Sequence, residues 1–173
     1  GIFETGGDLM NGKIPHIVQY QGSKRVLAPQ ILQYMPERFN RLIEPFSGMA
    51  AISIATAYEN RTNSFLVNDL NKPLVDMLQE AIEKPEQLIM NYSKVWEEQF
   101  SYGENHIQHF YDVRERFNNG EKTSANMLYL LARCVKGAVR YGKNGNFNQS
   151  LISGDMEQTL ILWHRMSTRY RDF

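Results

Sequence analysis

The segment LIEPFSGMAAISIA, residues 42–55, limits what this chain can fold into more than any other stretch. An apolar, strand-like run ends at Glu44-Pro45-Phe46, reaches Gly48, and continues as a helix of small residues. A strand, a glycine turn and a helix N-terminus in this order are how many α/β proteins bind a nucleotide-like ligand. The segment therefore predicts an α/β fold with a ligand site at the end of the first strand.

The remaining sequence predicts one more strand and a series of helices. Strands are predicted at 41–46 and 64–69, and a first helix at 23–34, with Ser23 as its N-cap and Pro29 in its first turns or at a kink. Further helices are predicted at 49–59, 73–83, 85–100, 104–118, 122–136 and 155–169, with a turn or tight hairpin at 140–150. Two strands do not make a stable parallel sheet, so we expect another chain to complete it.

The composition is that of an ordinary globular protein, with 42% hydrophobic residues, 22% charged residues and a formal net charge of zero. No apolar run approaches the roughly 18 residues of a membrane span. The single cysteine, Cys134, cannot form an internal disulfide, so we expect a cytoplasmic protein without a membrane partner. Residues 133–171 include seven basic residues and two acidic ones. This local excess of basic residues indicates either a solvated face or a phosphate-binding surface.

Asp69 ends the second predicted strand, 21 residues after Gly48. Dinucleotide folds place a ribose-binding acid roughly 20 residues after the glycine turn. Asp69 can therefore bind ribose hydroxyls, or it can cap the helix that follows. One glycine, instead of the three of a dinucleotide fingerprint, argues against a pyrophosphate site and favours a ligand that combines an amino acid with a nucleoside. Glu44 would then hold the ammonium group and Asp69 the ribose.

Four short motifs follow one another along residues 17–150. They are Tyr20-Gln21-Gly22-Ser23-Lys24, Glu44-Pro45-Phe46-Ser47-Gly48-Met49-Ala50, Asn68-Asp69-Leu70-Asn71, and Lys136-Gly137-Ala138-Val139-Arg140-Tyr141 leading to Gly145-Asn146-Phe147-Asn148. In type, order and spacing they resemble the motifs of the N6-adenine DNA methyltransferases of the DNA adenine methylase type, the D12 class. Lys136 stands where that family often has asparagine.

The resemblance implies a partial Rossmann-like methyltransferase sheet, with a helical target-recognition insertion that carries a hairpin. It implies S-adenosylmethionine as cofactor, S-adenosylhomocysteine as product and double-stranded DNA as substrate. The residues implied for the cofactor are Tyr20, Gln21, Gly22, Ser23, Lys24, Glu44, Phe46, Ser47, Gly48, Ala50, Asp69 and Leu70. Those implied for DNA are Arg133, Lys136, Arg140, Tyr141, Lys143, Asn144 and Asn146. We expect a tail at 1–14, a cofactor-binding region at 15–84, a recognition region at 85–155 and a return helix at 156–173.

The catalytic motif of this family, Asp/Asn-Pro-Pro-Tyr/Phe, accepts hydrogen bonds from adenine N6 and stacks on the flipped base. None of the six prolines of this chain are adjacent, so we assign no catalytic residue and expect the motif on a second polypeptide. The expected protein is one chain of a two-chain, site-specific DNA adenine-N6 methyltransferase of a restriction-modification system. A fragment of a single-chain enzyme and a non-catalytic DNA-binding protein are the alternatives. The four histidines lack neighbours at metal-ligand spacing, so no metal site is predicted.

Overall fold

The computed structural model of the protein describes residues 14–152, which fall into two compact units. Within these residues, the first unit contains residues 14–16 together with Gly22–Asn71. The second contains Ile17–Gln21 and residues 72–152. The helix predicted at 155–169 and all but the last residue of the predicted tail lie outside the described residues.

The first unit combines helices with a small parallel sheet, as the sequence predicts. Its elements are α1 (Ala28–Gln33), β1 (Leu42–Glu44), α2 (Ala51–Tyr58) and β2 (Phe65–Val67). Strands β1 and β2 pair in parallel, with Ile43 opposite Leu66. Helix α1 packs on α2 and α2 on β1, around a core that includes Ile14, Leu32 and Ala55.

Helix α1 begins later than predicted. It starts at Ala28 instead of residue 23, and Pro29 lies in its first turn, where the missing N–H removes no hydrogen bond. Ser23 does not cap the helix, because it lies four residues before the N-cap position; its Oγ accepts a hydrogen bond from the Arg25 N–H at 3.3 Å, outside the helix. The N-cap residue, Leu27, makes no side-chain capping bond.

The second unit is helical. Its helices are α3 (Lys72–Glu83), α4 (Pro85–Glu98), α5 (His106–Asn118) and α6 (Ser124–Arg133), with 3-10 turns at Gln99–Asn105 and Val135–Gly137. Helix α6 contacts α3, α4 and α5, and its residues 124–131 are all buried, as expected for a helix that is apolar on most sides. Its N-cap is Thr123, whose side chain accepts from the Asn126 N–H at 3.2 Å. None of the helices within residues 14–152 has both the length and the apolar character of a membrane span.

The hairpin predicted at 140–150 is confirmed. Tyr141 lies opposite Phe147 in an antiparallel bridge. On either side of this pair, the Gly142 N–H donates to Asn146 O at 2.8 Å and the Asn148 N–H donates to Arg140 O at 3.0 Å. The hairpin tip therefore consists of residues 142–146.

Candidate functional site

Glu44 is the last residue of β1, and its side chain links the strand to the first turn of α2. Glu44 Oε2 accepts hydrogen bonds from the Ser53 N–H at 3.0 Å and the Ser53 hydroxyl at 2.6 Å. Because N–H groups in the first turn of a helix have no partner within that helix, the carboxylate caps α2 from outside. Among the described residues, Glu44 Oε1 has no hydrogen-bond partner and remains open to a ligand.

Asp69 follows β2, and its carboxylate joins the two loops at the carboxyl end of the sheet. Asp69 Oδ2 accepts from the Gly48 N–H at 2.9 Å, and Oδ1 accepts from the Asn71 N–H at 3.0 Å. Gly48 has a φ of +50°, in the left-handed region that favours glycine. Each carboxylate oxygen has a second lone pair, so Asp69 can still accept hydrogen bonds from the hydroxyls of a ligand.

Main-chain hydrogen bonds continue the pairing of β1 and β2 into these loops. The Asn68 N–H donates to Glu44 O and the Ser47 N–H donates to Asn68 O, both at 3.0 Å. The Asn68 side-chain amide also donates to Pro45 O at 3.0 Å. The protein's own hydrogen bonds therefore fix both loops at the edge where ligands of open α/β sheets bind.

Two large apolar side chains of the same loops are exposed. Phe46 is 90% exposed and Leu70 is 99% exposed. Exposed apolar groups bordered by polar ones are typical of binding sites. An aromatic ring and an alkyl chain that accompany two carboxylates suit a ligand with both apolar and hydroxyl groups.

Ala50 is the residue that leads into α2, and it has a left-handed backbone conformation with a φ of +52°. This conformation costs a non-glycine residue roughly 1–2 kcal/mol. The backbone conformation therefore gives a physical reason for the glycine that the motif allows at this position, and Ala50 adopts the same conformation at that cost.

The motif at 20–24 is divided between the two units, so each part is described by itself. In the first unit, Gly22 has a φ of +82°. The Lys24 Nζ donates to Gly22 O at 3.0 Å and is exposed. The lysine therefore folds back over the glycine turn of its own motif.

In the second unit, Gln21 contacts the segment that precedes the hairpin. The Gln21 N–H donates to Gly137 O at 3.0 Å, and the neighbouring Tyr20 is half-buried. A Cβ on Gly137 would lie 2.2 Å from Gln19 O, so only glycine fits there. Lys136 is exposed with a φ of +61°, a conformation in which asparagine is strongly favoured over lysine. This gives a conformational reason for the asparagine that the family often has at this position.

The residues predicted to contact DNA fall into two groups. Six are exposed on or before the hairpin, namely Lys136, Arg140, Tyr141, Lys143, Asn144 and Asn146. Arg133, in contrast, is only 3% exposed, and its guanidinium lies over the Trp96 ring at 5.5 Å from the centroid. The prediction for Arg133 is therefore contradicted, because a cation in the helical core does not reach a nucleic acid.

Side chains of α5 that the sequence analysis missed hold the hairpin in place. Asn118 Oδ1 accepts from the Phe147 N–H at 2.7 Å, and its Nδ2 donates to Phe147 O at 3.0 Å. Arg114 Nη1 donates to Gln149 O at 3.0 Å. These contacts join residues that are 29 and 35 positions apart, and no local sequence pattern indicates such pairs.

The buried titratable groups of the helical unit belong to its core. His109 Nδ1 lies 2.9 Å from the Tyr129 hydroxyl, and burial lowers the pKa of His109. Burial also raises the pKa of Tyr129 to about 12 and the pKa of the Cys134 thiol to about 11. Within residues 14–152, no group of three or more His, Cys, Asp or Glu residues is arranged to hold a metal ion.

Comparison with known proteins agrees with the motif pattern. The sequence profile of the D12 class N6 adenine-specific DNA methyltransferases matches residues 20–151. The retron Ec67 DNA adenine methylase of Escherichia coli is 28% identical over 137 residues, which are 76% of this chain and 45% of that protein. The type II methyltransferase M1.LlaDCHI of Lactococcus lactis subsp. cremoris is 27% identical over 140 residues, 75% of this chain and 45% of that protein.

A viral relative gives the same result. The type II methyltransferase M.CviBI of Paramecium bursaria Chlorella virus NC1A is 27% identical over 135 residues, 76% of this chain and 48% of that protein. The chain spans about half the length of the curated relatives it matches. Since the family profile matches most of the chain, the protein belongs to the D12 class of N6 adenine-specific DNA methyltransferases.

Proposed function

We propose that this chain is the S-adenosylmethionine-binding and DNA-recognising part of a site-specific DNA adenine-N6 methyltransferase. The observation that carries the proposal is the Asp69 carboxylate, which joins the Gly48 loop to its own loop by hydrogen bonds of 2.9 and 3.0 Å. This places an acid with free lone pairs at the carboxyl edge of a parallel sheet, where nucleoside ligands bind.

The groups at this edge fit a cofactor that joins a nucleoside to an amino acid. Asp69 would accept hydrogen bonds from the ribose hydroxyls, and Glu44 Oε1 would bind the α-ammonium group. Phe46 and Leu70 supply exposed apolar surface for the adenine and the thioether chain. Further cofactor contacts are assigned from the motifs to Tyr20, Gln21, Gly22, Ser23, Lys24, Ser47, Gly48 and Ala50. The cofactor supplies the methyl group, and this chain's residues bind and orient it.

The exposed residues of the hairpin region supply the DNA contacts in this proposal. Asn144 and Asn146 lie at the tip and can read base edges, since asparagine pairs bidentately with adenine in the major groove. Arg140 can read guanine in the same way, and Lys136 and Lys143 can neutralise phosphates. Tyr141 completes the set, from which Arg133 is omitted because it is buried.

The catalytic Asp-Pro-Pro-Tyr motif is contributed, in this proposal, by polypeptide outside these 173 residues. None of the prolines of the chain are adjacent, so the chain itself has no such motif. On β1 and β2, the paired residues Ile43 and Leu66 are 60% and 52% exposed, which leaves apolar sheet surface for a partner to cover. In this proposal a second polypeptide carries the motif, and the two chains belong to a restriction-modification system. The support for that context is that two relatives are named type II methyltransferases.

Reconstitution tests this proposal. Transfer of a labelled methyl group from S-adenosylmethionine to adenine in duplex DNA is measured with the 173-residue chain, with a separately expressed polypeptide that carries Asp-Pro-Pro-Tyr, and with both. We expect methylation only with both, and none when the aspartate of that motif is replaced by alanine. Methylation by the 173-residue chain alone would contradict the two-part arrangement. Failure of the chain to bind S-adenosylhomocysteine or duplex DNA would contradict the function itself.

A further inference from the structure

Asn118, the last residue of α5, makes a contact with the hairpin that has the form of a strand pairing. Its Oδ1 accepts from the Phe147 N–H at 2.7 Å, and its Nδ2 donates to Phe147 O at 3.0 Å. One side-chain amide thus binds both main-chain polar groups of a single hairpin residue. The amide takes the place that a third strand would have.

The geometry of the hairpin explains why Phe147 needs this partner. The hydrogen bonds that flank the Tyr141–Phe147 pair come from Gly142 and Asn148, so the pair is of the type without hydrogen bonds between its own main-chain groups. The main-chain groups of Phe147 therefore point away from Tyr141. The Phe147 side chain is buried, and buried main-chain groups without partners destabilise a protein.

Arg114, one helical turn before Asn118, makes a second contact between α5 and the same strand. Its Nη1 donates to Gln149 O at 3.0 Å, while its guanidinium lies 4.7 Å from the centre of the Tyr111 ring. Four residues of a helix rise about 6 Å, and two residues of a strand advance about 6.6 Å. The spacing of Asn118 and Arg114 along α5 therefore matches the spacing of their partners, Phe147 and Gln149 respectively, and α5 holds the second strand of the hairpin in register.

The residues at the hairpin tip have no comparable anchor among the described residues. Lys143, Asn144 and Asn146 are exposed, and Asn144 Oδ1 accepts only from the Asn146 N–H at 3.2 Å, within the tip. A two-stranded hairpin alone is marginally stable in water. Here the end of the second strand also pairs with residues 133–135, because the Val135 N–H donates to Ser150 O and the Ile152 N–H donates to Arg133 O. The position of the tip therefore depends on how firmly its second strand is held.

We propose that Asn118 is a positioning residue for DNA recognition, which fixes the hairpin so that its tip meets the base edges in one register. The proposal rests on the proposed function, because it assumes that the tip reads DNA. Base-edge hydrogen bonds require close, aligned contacts, whereas phosphate attraction tolerates displacement. Loosening the hairpin therefore lowers discrimination between sequences more than it lowers affinity for DNA in general.

The test uses the 173-residue chain with S-adenosylhomocysteine and a library of DNA duplexes with a randomised centre. The variants are Asn118→Ala and Asn118→Asp, which keeps the volume and one acceptor but sets an oxygen against Phe147 O. Asn119→Ala is the matched control, because Asn119 is the adjacent, exposed asparagine. We expect the enriched duplex to lose about tenfold in affinity relative to a scrambled duplex in both Asn118 variants, the size of one good base contact. Affinity for the scrambled duplex and its salt dependence should stay within twofold.

Amide exchange of Phe147 tests the contact between Asn118 and Phe147 in the absence of DNA. In Asn118→Ala, the Phe147 N–H should exchange at least ten times faster than in the wild type and in Asn119→Ala, while the helical core keeps its protection. Asn118→Asp keeps an acceptor for this N–H, so its effect is read from DNA discrimination and not from exchange. Unchanged exchange in Asn118→Ala would contradict the role of Asn118 in holding Phe147, regardless of the DNA-binding result. Full discrimination in a variant with fast exchange would overturn the positioning role alone. A wild-type chain that enriches no sequence would overturn the proposed function, and this inference with it.

Discussion

The Gly48 N–H donates a hydrogen bond of 2.9 Å to Asp69 Oδ2, and this bond joins the turn after β1 to the turn after β2. The other oxygen of the same carboxylate accepts from Asn71, so one side chain organises both loops. In the proposed cofactor site, Asp69 therefore serves both the structure of the loops and the binding of the ligand. A change there is expected to affect both, and the matched experiment has to separate them.

We predict that Asp69→Asn lowers the affinity for S-adenosylhomocysteine at least tenfold, because an NH2 group replaces an acceptor that faces an N–H and the charged acceptor is lost. Calorimetric titration of the folded chain measures the affinity, and urea unfolding measures the accompanying loss of stability. Asp76→Asn is the control, since Asp76 forms an exposed i,i+4 pair with Lys72 on α3, and such pairs contribute little to stability. An Asp69→Asn affinity within twofold of the wild type would exclude Asp69 from the cofactor site.

Gly137→Ala is predicted to destabilise the helical unit by about 2 kcal/mol or more. A Cβ there would lie 2.2 Å from Gln19 O, a main-chain atom that cannot rotate away, and Gly137 also has a φ of +55°. Gly145→Ala is the control for backbone conformation alone, because Gly145 has a φ of +79° with open space around it. Urea unfolding should give a cost of about 1–2 kcal/mol for Gly145→Ala. Equal losses of unfolding free energy in the two variants would show that the close approach to Gln19 adds no destabilisation.

The sequence predicted the two strands that lead to Gly48 and Asp69 better than it predicted the start of α1. The number of residues between the glycine and the acid is set by one strand–helix–strand unit, so it can be recognised in a short stretch of the sequence. The helix predicted at 23–34 combined good helical spacing with a serine cap, but Pro29 fits only the first turn and moves the start to Ala28.

Contacts between distant elements were beyond the reach of the sequence. Arg133 lies in a basic stretch, and only the packing of α4 against α6 shows that its guanidinium covers Trp96 instead of facing solvent. Glu44 was predicted as a ligand-binding acid, whereas one of its oxygens caps α2 through Ser53. Both contacts depend on tertiary packing that no local pattern encodes.

Protonation of His109 is predicted to destabilise the helical unit in mild acid. Burial lowers the pKa of His109 below the ordinary value near 6.5, and the nearby Glu98 carboxylate opposes this shift only in part. The unfolded chain therefore binds the proton more readily. The contribution to stability is complete above pH ~6.5 and is lost as the pH falls from there through the folded pKa.

Urea unfolding at pH 7.5, 6.5 and 5.5 checks this expectation. The free energy of unfolding of the wild type should decrease as the pH is lowered. His109→Gln should reduce that dependence, since glutamine does not titrate. His106→Gln is the control at the start of the same helix. A pH dependence that is the same in the wild type and in His109→Gln would contradict the assignment to His109.

The exposed residues of the two-stranded sheet are predicted to bind the polypeptide that carries the catalytic motif. Ile43 and Leu66 are neighbours in register, and burial of one such side chain contributes about 1.5–3 kcal/mol. Ile43→Lys and Leu66→Lys should therefore weaken association at least tenfold by analytical ultracentrifugation, and methylation should fall in proportion at limiting partner concentration. Ile82→Lys is the control, because Ile82 is an exposed isoleucine on α3 and lies outside the sheet. Unchanged association in both sheet variants, with each variant folded, would show that the partner does not cover these two residues.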